Sequence, residues 1–296
     1  MAKYLRRTGH EVTVLSTSAY GTLPDDAERG IVRSHDLQVT ASRLRLRRGG
    51  DVFERGEYDG RRHPLSAVIV PEPTLVAWAP FAIAKAVALH RRIGFDAVVT
   101  TSPPESAHVV GWALQRIGLP WVADVRDGWT FETFRPPWPT ELQRRLEVAL
   151  ERALFRRADV VTCVAQALAD DVRTRIGGNG VVVTNGWDPE LAAGAVDPSA
   201  AERLLDPQRR SLVYTGRLAF VDRDVTVLVR ALADLAREEP DVAARLELVF
   251  VGSYTEGERR LFATDVSPAR IVVAGSLPRE QALGFQHAAD ALLLVT

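Results

Sequence analysis

The sequence has little or none of several features that would identify whole classes of protein. Its 296 residues include one cysteine, Cys163, so no disulfide can form within the chain, which fits a reducing compartment. No apolar run approaches the roughly 20 residues that a membrane-spanning helix needs, and the N-terminus lacks the basic-then-apolar pattern of a secretory signal. The net charge of -1 gives no indication of nucleic-acid binding. Together these absences predict a cytoplasmic protein.

Metal-binding and nucleophile motifs are missing as well. The six histidines have no zinc-like spacing, one cysteine cannot build a thiolate site, and no Gly-x-Ser-x-Gly turn of the hydrolase type occurs. The glycine-rich segment 177–180 precedes a predicted strand, whereas a dinucleotide-binding loop follows one. Asp222 and Asp224 lie in a predicted phosphate loop, and we expect no metal there.

The chain does contain a regular alternation of short strands and helices. Apolar and β-branched runs, as at 121–125 and 246–251, alternate with segments of helical period, as at 140–157 and 225–237. Continuous apolar strands are typical of parallel sheets that are covered on both faces. The length suits two domains. The predicted fold class is α/β, with two tandem Rossmann-like doubly wound domains.

The predicted boundary between the domains follows residue 185. Residues 185–206 are rich in glycine, proline, alanine and aspartate and lack a strand signal, so we interpret them as the connection. The first domain then covers residues 1–185, within which 17–64 form a long polar segment without clear period. The second domain covers residues 186–296.

Both ends of the chain carry unusual patterns for this fold class. The sequence begins within a predicted helix, residues 1–8, and finishes on the apolar segment 291–295. A bare terminal strand leaves apolar surface and ladder groups uncovered. We therefore expect both ends to be cut, so that the first strand of the first domain and the C-terminal part of the second are missing.

The most informative segment is 212–232. It indicates a buried strand, a turn at Gly216, two arginines, Arg217 and Arg223, and then an amphipathic helix. Glycine at a strand end lets backbone approach a ligand closely, and a helix N-terminus offers free N–H groups. Two guanidinium groups there can neutralise a diphosphate. The segment therefore favours a nucleotide diphosphate at the carboxyl edge of a parallel sheet; the alternative is an ordinary loop with two solvated arginines.

Several loops, taken in order, resemble those of family-4 glycosyltransferases of the GT-B fold. Residues 9–15 (GHEVTVL) resemble the segment after that family's first helix, and 101–104 (TSPP) and 121–129 (WVADVRDGW) match blocks of one subgroup. Residues 184–188 (TNGWD) and 214–217 (YTGR) resemble the link to the second domain and the diphosphate-binding loop. The resemblance covers nearly the whole chain.

The resemblance implies a retaining transferase that moves a sugar from a nucleotide diphospho-sugar to a cell-envelope, polysaccharide or lipid-linked acceptor, without metal or other cofactor. The second domain would hold the donor and the first the acceptor. Arg217 and Arg223 would grip the donor diphosphate, and Gly216 would allow its close approach. The other donor-side positions that the resemblance implies are Gly252, Gly275, Ser276 and Leu277.

The chain also departs from the family pattern. The family has a first strand and glycine-rich loop before the position of Met1, and a Glu-x7-Glu block after the position of Thr296. Asp224 stands where glycine commonly follows the second basic residue, and Gly128 stands where the subgroup often has proline. The alternative function is a catalytically inactive fragment or a non-catalytic nucleotide-sugar-binding module, and a third is a sugar-nucleotide epimerase.

Four residues of the first domain are candidates for the acceptor side. His108 and Asp127 are the candidate catalytic residues; His108 lies one turn into a predicted helix, and Asp127 follows a strand at its carboxyl end. The alternatives are a buried or capping histidine and an aspartate that caps a helix or forms an ion pair. Ser102 and Pro103 precede the same helix and would lie near the acceptor.

A basic cluster occupies the long polar segment of the first domain. Lipid-linked acceptors lie at anionic membrane surfaces, where each basic residue contributes about 1 kcal/mol to binding. The cluster would dock the domain at the inner face of the cell membrane; the alternative is a solvated loop. Its members are Arg43, Arg45, Arg47, Arg48, Arg55, Arg61 and Arg62.

Overall fold

A computed structural model describes residues 1–18, 25–37, 70–71, 76–131, 138–192, 196–218 and 224–295. These residues form two compact units, one that ends at Gly186 and one that starts at Trp187. Every strand pair within the described ranges is parallel, and from Ile31–Ser34 onward at least one helix lies between each two consecutive strands. This confirms the predicted α/β class with parallel sheets. None of the described helices is long and apolar enough to cross a membrane.

The first unit has two groups of strands. Strands β1 and β2 pair with each other, and a second sheet has the order β3-β4-β5-β6. Its elements in chain order are α1 (Ala2–Arg7), β1 (Val14–Thr17), β2 (Ile31–Ser34), α2 (Ala79–Ile93), β3 (Val98–Ser102), α3 (Ser106–Gln115), β4 (Trp121–Val125), α4 (Glu141–Phe155), β5 (Val160–Cys163), α5 (Gln166–Asp171) and β6 (Gly180–Val182).

Strand β2 lies within the segment that the sequence pattern left without clear period. It pairs in register with β1, so that Val14 lies opposite Ile31 and Thr17 opposite Ser34. A four-residue strand carries too short an alternation to stand out among polar residues, and its partner strand defines it. Residues 65–70, for which the sequence also predicts a short strand, lie almost wholly outside the described residues.

The core of the first unit depends on close packing of α3 against β4. Trp121 is completely buried, and its indole Nε1 donates a hydrogen bond of 2.8 Å to the Thr100 hydroxyl on the neighbouring strand. A Cβ atom at Gly111 would overlap the Trp121 ring. Glycine at this helical position therefore sets how near the helix lies to the sheet.

Helix α4 turns polar side chains toward the core. Gln143, Glu147 and Glu151 are at most 2% exposed, whereas Leu142 is 59% exposed. Buried carboxylates are costly unless they are paired. Glu147 accepts a hydrogen bond of 2.7 Å from the Trp129 indole. Glu151 accepts hydrogen bonds from Thr130 and pairs with Arg175 at 3.0 Å.

His108 is part of this core and has no exposed surface. Its Nδ1 is hydrogen bonded to the Thr100 hydroxyl at 2.9 Å, and its ring lies 5.2 Å from Phe155 and 6.4 Å from Trp129 between centroids. Burial lowers the pKa of His108 to about 3, and the charge of Asp124 opposes this only in part. The imidazole is therefore neutral at physiological pH.

The second unit is a single parallel sheet of the order β10-β7-β8-β9. Two short helices, α6 and α7, lie in the segment interpreted as a connection, and β10 is shorter than the predicted 291–295. Its elements in chain order are α6 (Pro189–Ala192), α7 (Ser199–Leu204), β7 (Arg210–Thr215), α8 (Thr226–Glu238), α9 (Pro240–Ala243), β8 (Leu246–Val251), α10 (Glu256–Phe262), β9 (Arg270–Gly275), α11 (Arg279–Ala288) and β10 (Ala291–Leu292).

Strand β8 is the centre of the second unit. Its residues alternate between two apolar layers, with Leu248 and Phe250 on one face and Val249 and Val251 on the other. The ring of Phe250 stacks on Phe262 of α10 at 4.2 Å between centroids. A strand covered on both faces in this way has the continuous apolar sequence that the fold prediction relied on.

Replacement of Gly111 by alanine tests the packing of α3 on β4. The new methyl group must displace the Trp121 ring, so we expect Gly111→Ala to lower the free energy of unfolding by about 1–2 kcal/mol, despite the better helix propensity of alanine. Gly257→Ala in α10 is the matched control, because only the Thr255 hydroxyl, at 3.9 Å, lies near its new Cβ. Urea denaturation followed by circular dichroism measures both. A Gly111→Ala protein as stable as Gly257→Ala would contradict the packing described.

The burial of His108 predicts a pH-dependent stability of the first unit. The folded-state pKa of about 3 lies below the unfolded value of about 6.5, so the unfolded state binds more protons between these values. The contribution of the neutral, buried His108 to the free energy of unfolding is therefore present above about pH 6.5 and is lost as the pH is lowered. His108 alone accounts for a loss of about 2 kcal/mol between pH 7 and pH 5.

Urea denaturation at these two pH values, followed by tryptophan fluorescence, measures this loss. We expect His108→Asn to remove about 2 kcal/mol of the pH dependence. His10→Asn, at an exposed histidine, should retain the wild-type dependence. An equal loss in wild type and His108→Asn would show that His108 is not the responsible group.

Candidate functional site

Three glycines stand at the carboxyl ends of neighbouring strands in the second unit. Gly216 follows β7, Gly252 follows β8, and Gly275 ends β9. The Gly216 N–H donates to the Val251 carbonyl at 2.9 Å, and the Gly252 N–H donates to the Gly275 carbonyl at the same distance. We call these three residues the glycine edge. Open parallel sheets bind ligands at this end of their strands.

Gly252 is the tightest point of the glycine edge. Its φ of +153° lies in a region that side chains disfavour, and a Cβ atom there would overlap the carbonyl oxygen of Gly216. No other residue type fits without moving the strand ends apart. The edge therefore offers a backbone surface without side chains, to which a ligand can come close.

Arg217 is placed beside this surface with its side chain exposed. Leu218 is completely buried in the core of the unit, and the Arg217 carbonyl accepts a hydrogen bond of 3.0 Å from the Tyr214 hydroxyl. These two contacts hold the backbone on either side of the arginine. Within the described residues its guanidinium has no hydrogen-bond or ion-pair partner and is available to an anion. Arg223, the second predicted phosphate ligand, lies outside the described residues.

The N-terminus of α8 is less open than the sequence pattern predicts. The Asp224 carboxylate accepts a hydrogen bond of 2.7 Å from the Thr226 N–H, the second of the helix-start N–H groups that an anion would otherwise use. The Thr226 side chain and backbone lower the pKa of Asp224, so the carboxylate is charged. A negative group at this point offsets the positive end of the helix dipole. Arg217 therefore attracts a diphosphate more strongly than the N-terminus of α8 does.

Two tyrosines that the sequence reading did not single out lie beneath the glycine edge. Tyr214 is 4% exposed and Tyr254 is 8% exposed. The Tyr214 hydroxyl is 3.2 Å from the point that a Cβ on Gly216 would occupy, and the Tyr254 hydroxyl is 3.2 Å from the corresponding point on Gly252. A tyrosine near the end of an apolar strand and another two residues past a glycine are the signals that could have found them.

The other predicted donor-side residues follow β9. Ser276 is exposed, and Leu277 is half-buried against the core cluster of Val249, Val251 and Phe285. Leu277 therefore fixes the start of the loop, while Ser276 lies at the surface beside Gly275.

The carboxyl edge of the first sheet has a buried carboxylate that the sequence reading missed. Asp124 is 5% exposed and accepts hydrogen bonds of 2.8 Å from Thr101 on β3 and from Thr162 on β5. All three residues occupy the same level of the sheet. Arg126 approaches the same carboxylate at 3.6 Å. The signal for Asp124 is its position as the one charged residue in the apolar run 121–125.

The predicted acceptor-side residues do not share one environment. Asp127 is exposed just beyond β4, with no hydrogen-bond or ion-pair partner among the described residues, so it is free to meet a ligand. Arg126 pairs with Asp124 and not with Asp127. Ser102 is buried, whereas Pro103 is exposed. His108 is fully buried, which favours its interpretation as a buried core histidine over that as a catalytic residue. A direct contact between His108 and a substrate does not fit this placement.

Comparison with known proteins agrees with this architecture. A sucrose-phosphate synthase from Thermosynechococcus elongatus is 18% identical with a TM-score of 0.57, and the match covers 78% of this chain and 57% of that chain. HepE (Alr3699) of Anabaena, solved in complex with UDP and glucose, is 16% identical with a TM-score of 0.53, and the match covers 94% and 65%. The chain thus spans less than two thirds of either protein.

The likeness to these structures shows the fold, which is that of GT-B glycosyltransferases. No curated protein matches the sequence significantly. The family model described as glycosyl transferase 4-like domain matches residues 1–187, which is more than half of the chain. The chain therefore belongs to the glycosyl transferase 4-like domain family.

Proposed function

We propose that this chain carries the donor and acceptor units of a retaining glycosyltransferase. The donor is a nucleotide diphospho-sugar, and the acceptor is a cell-envelope, polysaccharide or lipid-linked saccharide. The observation that carries the donor side is the glycine edge with the exposed Arg217 beside it. The lack of side chains at this edge lets a diphosphate come close, and the free guanidinium of Arg217 can donate to its oxygens, which are all hydrogen-bond acceptors.

The chemistry requires stabilisation of the leaving diphosphate. As the bond between sugar and phosphate breaks, negative charge grows on the leaving oxygen, and a positioned cation stabilises that charge. Arg217 is the described group with this property. Asp127, exposed at the carboxyl end of β4, is the candidate to orient an acceptor hydroxyl. We also propose that the transfer reaction needs no metal ion or other cofactor.

The proposed contact with an anionic membrane rests on the seven arginines between Arg43 and Arg62. They lie outside the described residues, so the sequence alone supports this contact. A vesicle-binding assay with these arginines reversed in charge addresses it. If charge reversal leaves vesicle binding unchanged, the arginine segment does not dock the protein at an anionic membrane, and this part of the proposal is wrong.

Nucleotide binding by Arg217→Ala is the first test of the donor site. UDP, GDP, ADP and dTDP are titrated calorimetrically into the wild-type chain, and the tightest binder is used for the variant. Loss of a charge-assisted hydrogen bond should weaken binding about 10- to 100-fold. Arg237→Ala is the matched control, because Arg237 is exposed near the C-terminal end of α8 and pairs with Asp234. Equal affinity of Arg217→Ala and wild type would overturn the donor assignment.

Transfer itself is tested with nucleotide sugars of the base that binds. We expect release of the nucleoside diphosphate only when an acceptor extract is present, and a product whose anomeric configuration matches the donor by NMR. Release of an altered nucleotide sugar without acceptor would favour an epimerase. Binding without turnover in any extract would favour a non-catalytic nucleotide-sugar-binding module.

A further inference from the structure

The hydroxyl of Tyr254 is a buried polar group that the fold leaves unused. The residue is 8% exposed, and within the described part of the chain its Oη has no hydrogen-bond partner. Removing a hydroxyl from water without a partner is unfavourable, and folded proteins rarely leave such a group unsatisfied. A ligand that accepts this hydrogen bond would explain why the hydroxyl is there.

The ring of Tyr254 is held in a defined orientation. It packs edge-to-face against Phe250 and Phe262, with centroid distances of 6.1 Å and 5.2 Å and interplanar angles of 82° and 89°. These contacts direct the hydroxyl toward the glycine edge, where it lies 3.2 Å from the point that a Cβ on Gly252 would occupy. The hydroxyl is therefore located where the backbone surface begins.

Tyr214 provides a comparison at the same edge. Its ring lies 6.3 Å from Phe250 between centroids, and its side chain is as deeply buried as that of Tyr254. Its hydroxyl, however, donates to the Arg217 carbonyl at 3.0 Å. Among the described residues, one tyrosine hydroxyl therefore bonds the backbone at Arg217, and the other has no hydrogen-bond partner.

The chemistry of the Tyr254 hydroxyl suits an acceptor-only ligand. Burial raises the pKa of Tyr254, with a smaller contribution from Tyr214, so the phenol stays protonated and can donate. Phosphate oxygens accept hydrogen bonds and, being charged, form the stronger ones. We propose that the Tyr254 hydroxyl donates a hydrogen bond to a phosphate oxygen of the nucleotide diphosphate at the glycine edge. This inference rests on the proposed donor site.

Tyr254→Phe tests the inference because it removes the hydroxyl and keeps the packed ring. Calorimetry with the tightest of UDP, GDP, ADP and dTDP should show binding about 10- to 100-fold weaker than wild type. NMR titration with the matching nucleoside, which has no phosphate, should show unchanged affinity. The ligand-free variant should melt at or above the wild-type temperature, because an unbonded hydroxyl has left the interior. Tyr214→Phe, which loses the bond to Arg217, should melt below wild type.

Each result separates the inference from the proposed function. If wild type binds the diphosphate and Tyr254→Phe binds it equally well, the inference is overturned and the donor site stands. An equal loss of nucleoside and diphosphate affinity also overturns it, because the hydroxyl then does not act on phosphate. A melting temperature lowered as in Tyr214→Phe would show a structural role instead. If wild type binds none of the four nucleotides, the proposed donor site fails and the inference fails with it.

Discussion

At the carboxyl end of the second sheet, Gly252 lies so near the Gly216 carbonyl that a single added carbon would force the two strand ends apart. The rest of the candidate donor site depends on this contact. It brings the ends of β7 and β8 close together. The hydrogen bond from the Gly252 N–H to the Gly275 carbonyl joins the end of β9 to them. The surface that results is made of backbone, with anchored side chains below it and exposed ones at its margin.

The electrostatics of this surface depend more on one side chain than on a helix dipole. Asp224 uses one of the first N–H groups of α8 and places a negative charge there, whereas Arg217 stands exposed with its charge free. Two contacts hold the backbone at Arg217: Leu218 is in the core, and the Tyr214 hydroxyl donates to the Arg217 carbonyl. When an anion binds, the cost of ordering at this position is therefore mainly that of the Arg217 side chain.

Sequence patterns were sufficient where a segment determines its own structure. Residues 121–125 and 246–251 are predicted as strands and form β4 and β8, because short runs with one charged residue among apolar ones suit a parallel sheet that is covered on both faces. Strand β2 was missed because only pairing with β1 defines it. The strand-end positions of Gly216, Gly252 and Gly275 follow from the sequence because backbone geometry depends on residue type. Their role and that of Arg217 at a donor site stay predictions.

The burial of polar groups whose partners are distant in sequence could not be predicted from local sequence patterns. Glu147 is acceptable in the core because of Trp129, and Glu151 because of Thr130 and Arg175. Neither partnership follows from helical period.

A surface made of backbone also has a consequence for engineering. A side chain added at Gly252 would displace the strand ends, so substitution there cannot adjust the chemistry of the surface without damaging it. Changes in ligand preference at the candidate donor site are better sought at its exposed margin, at Arg217, Ser253 and Ser276, whose side chains are not part of the core.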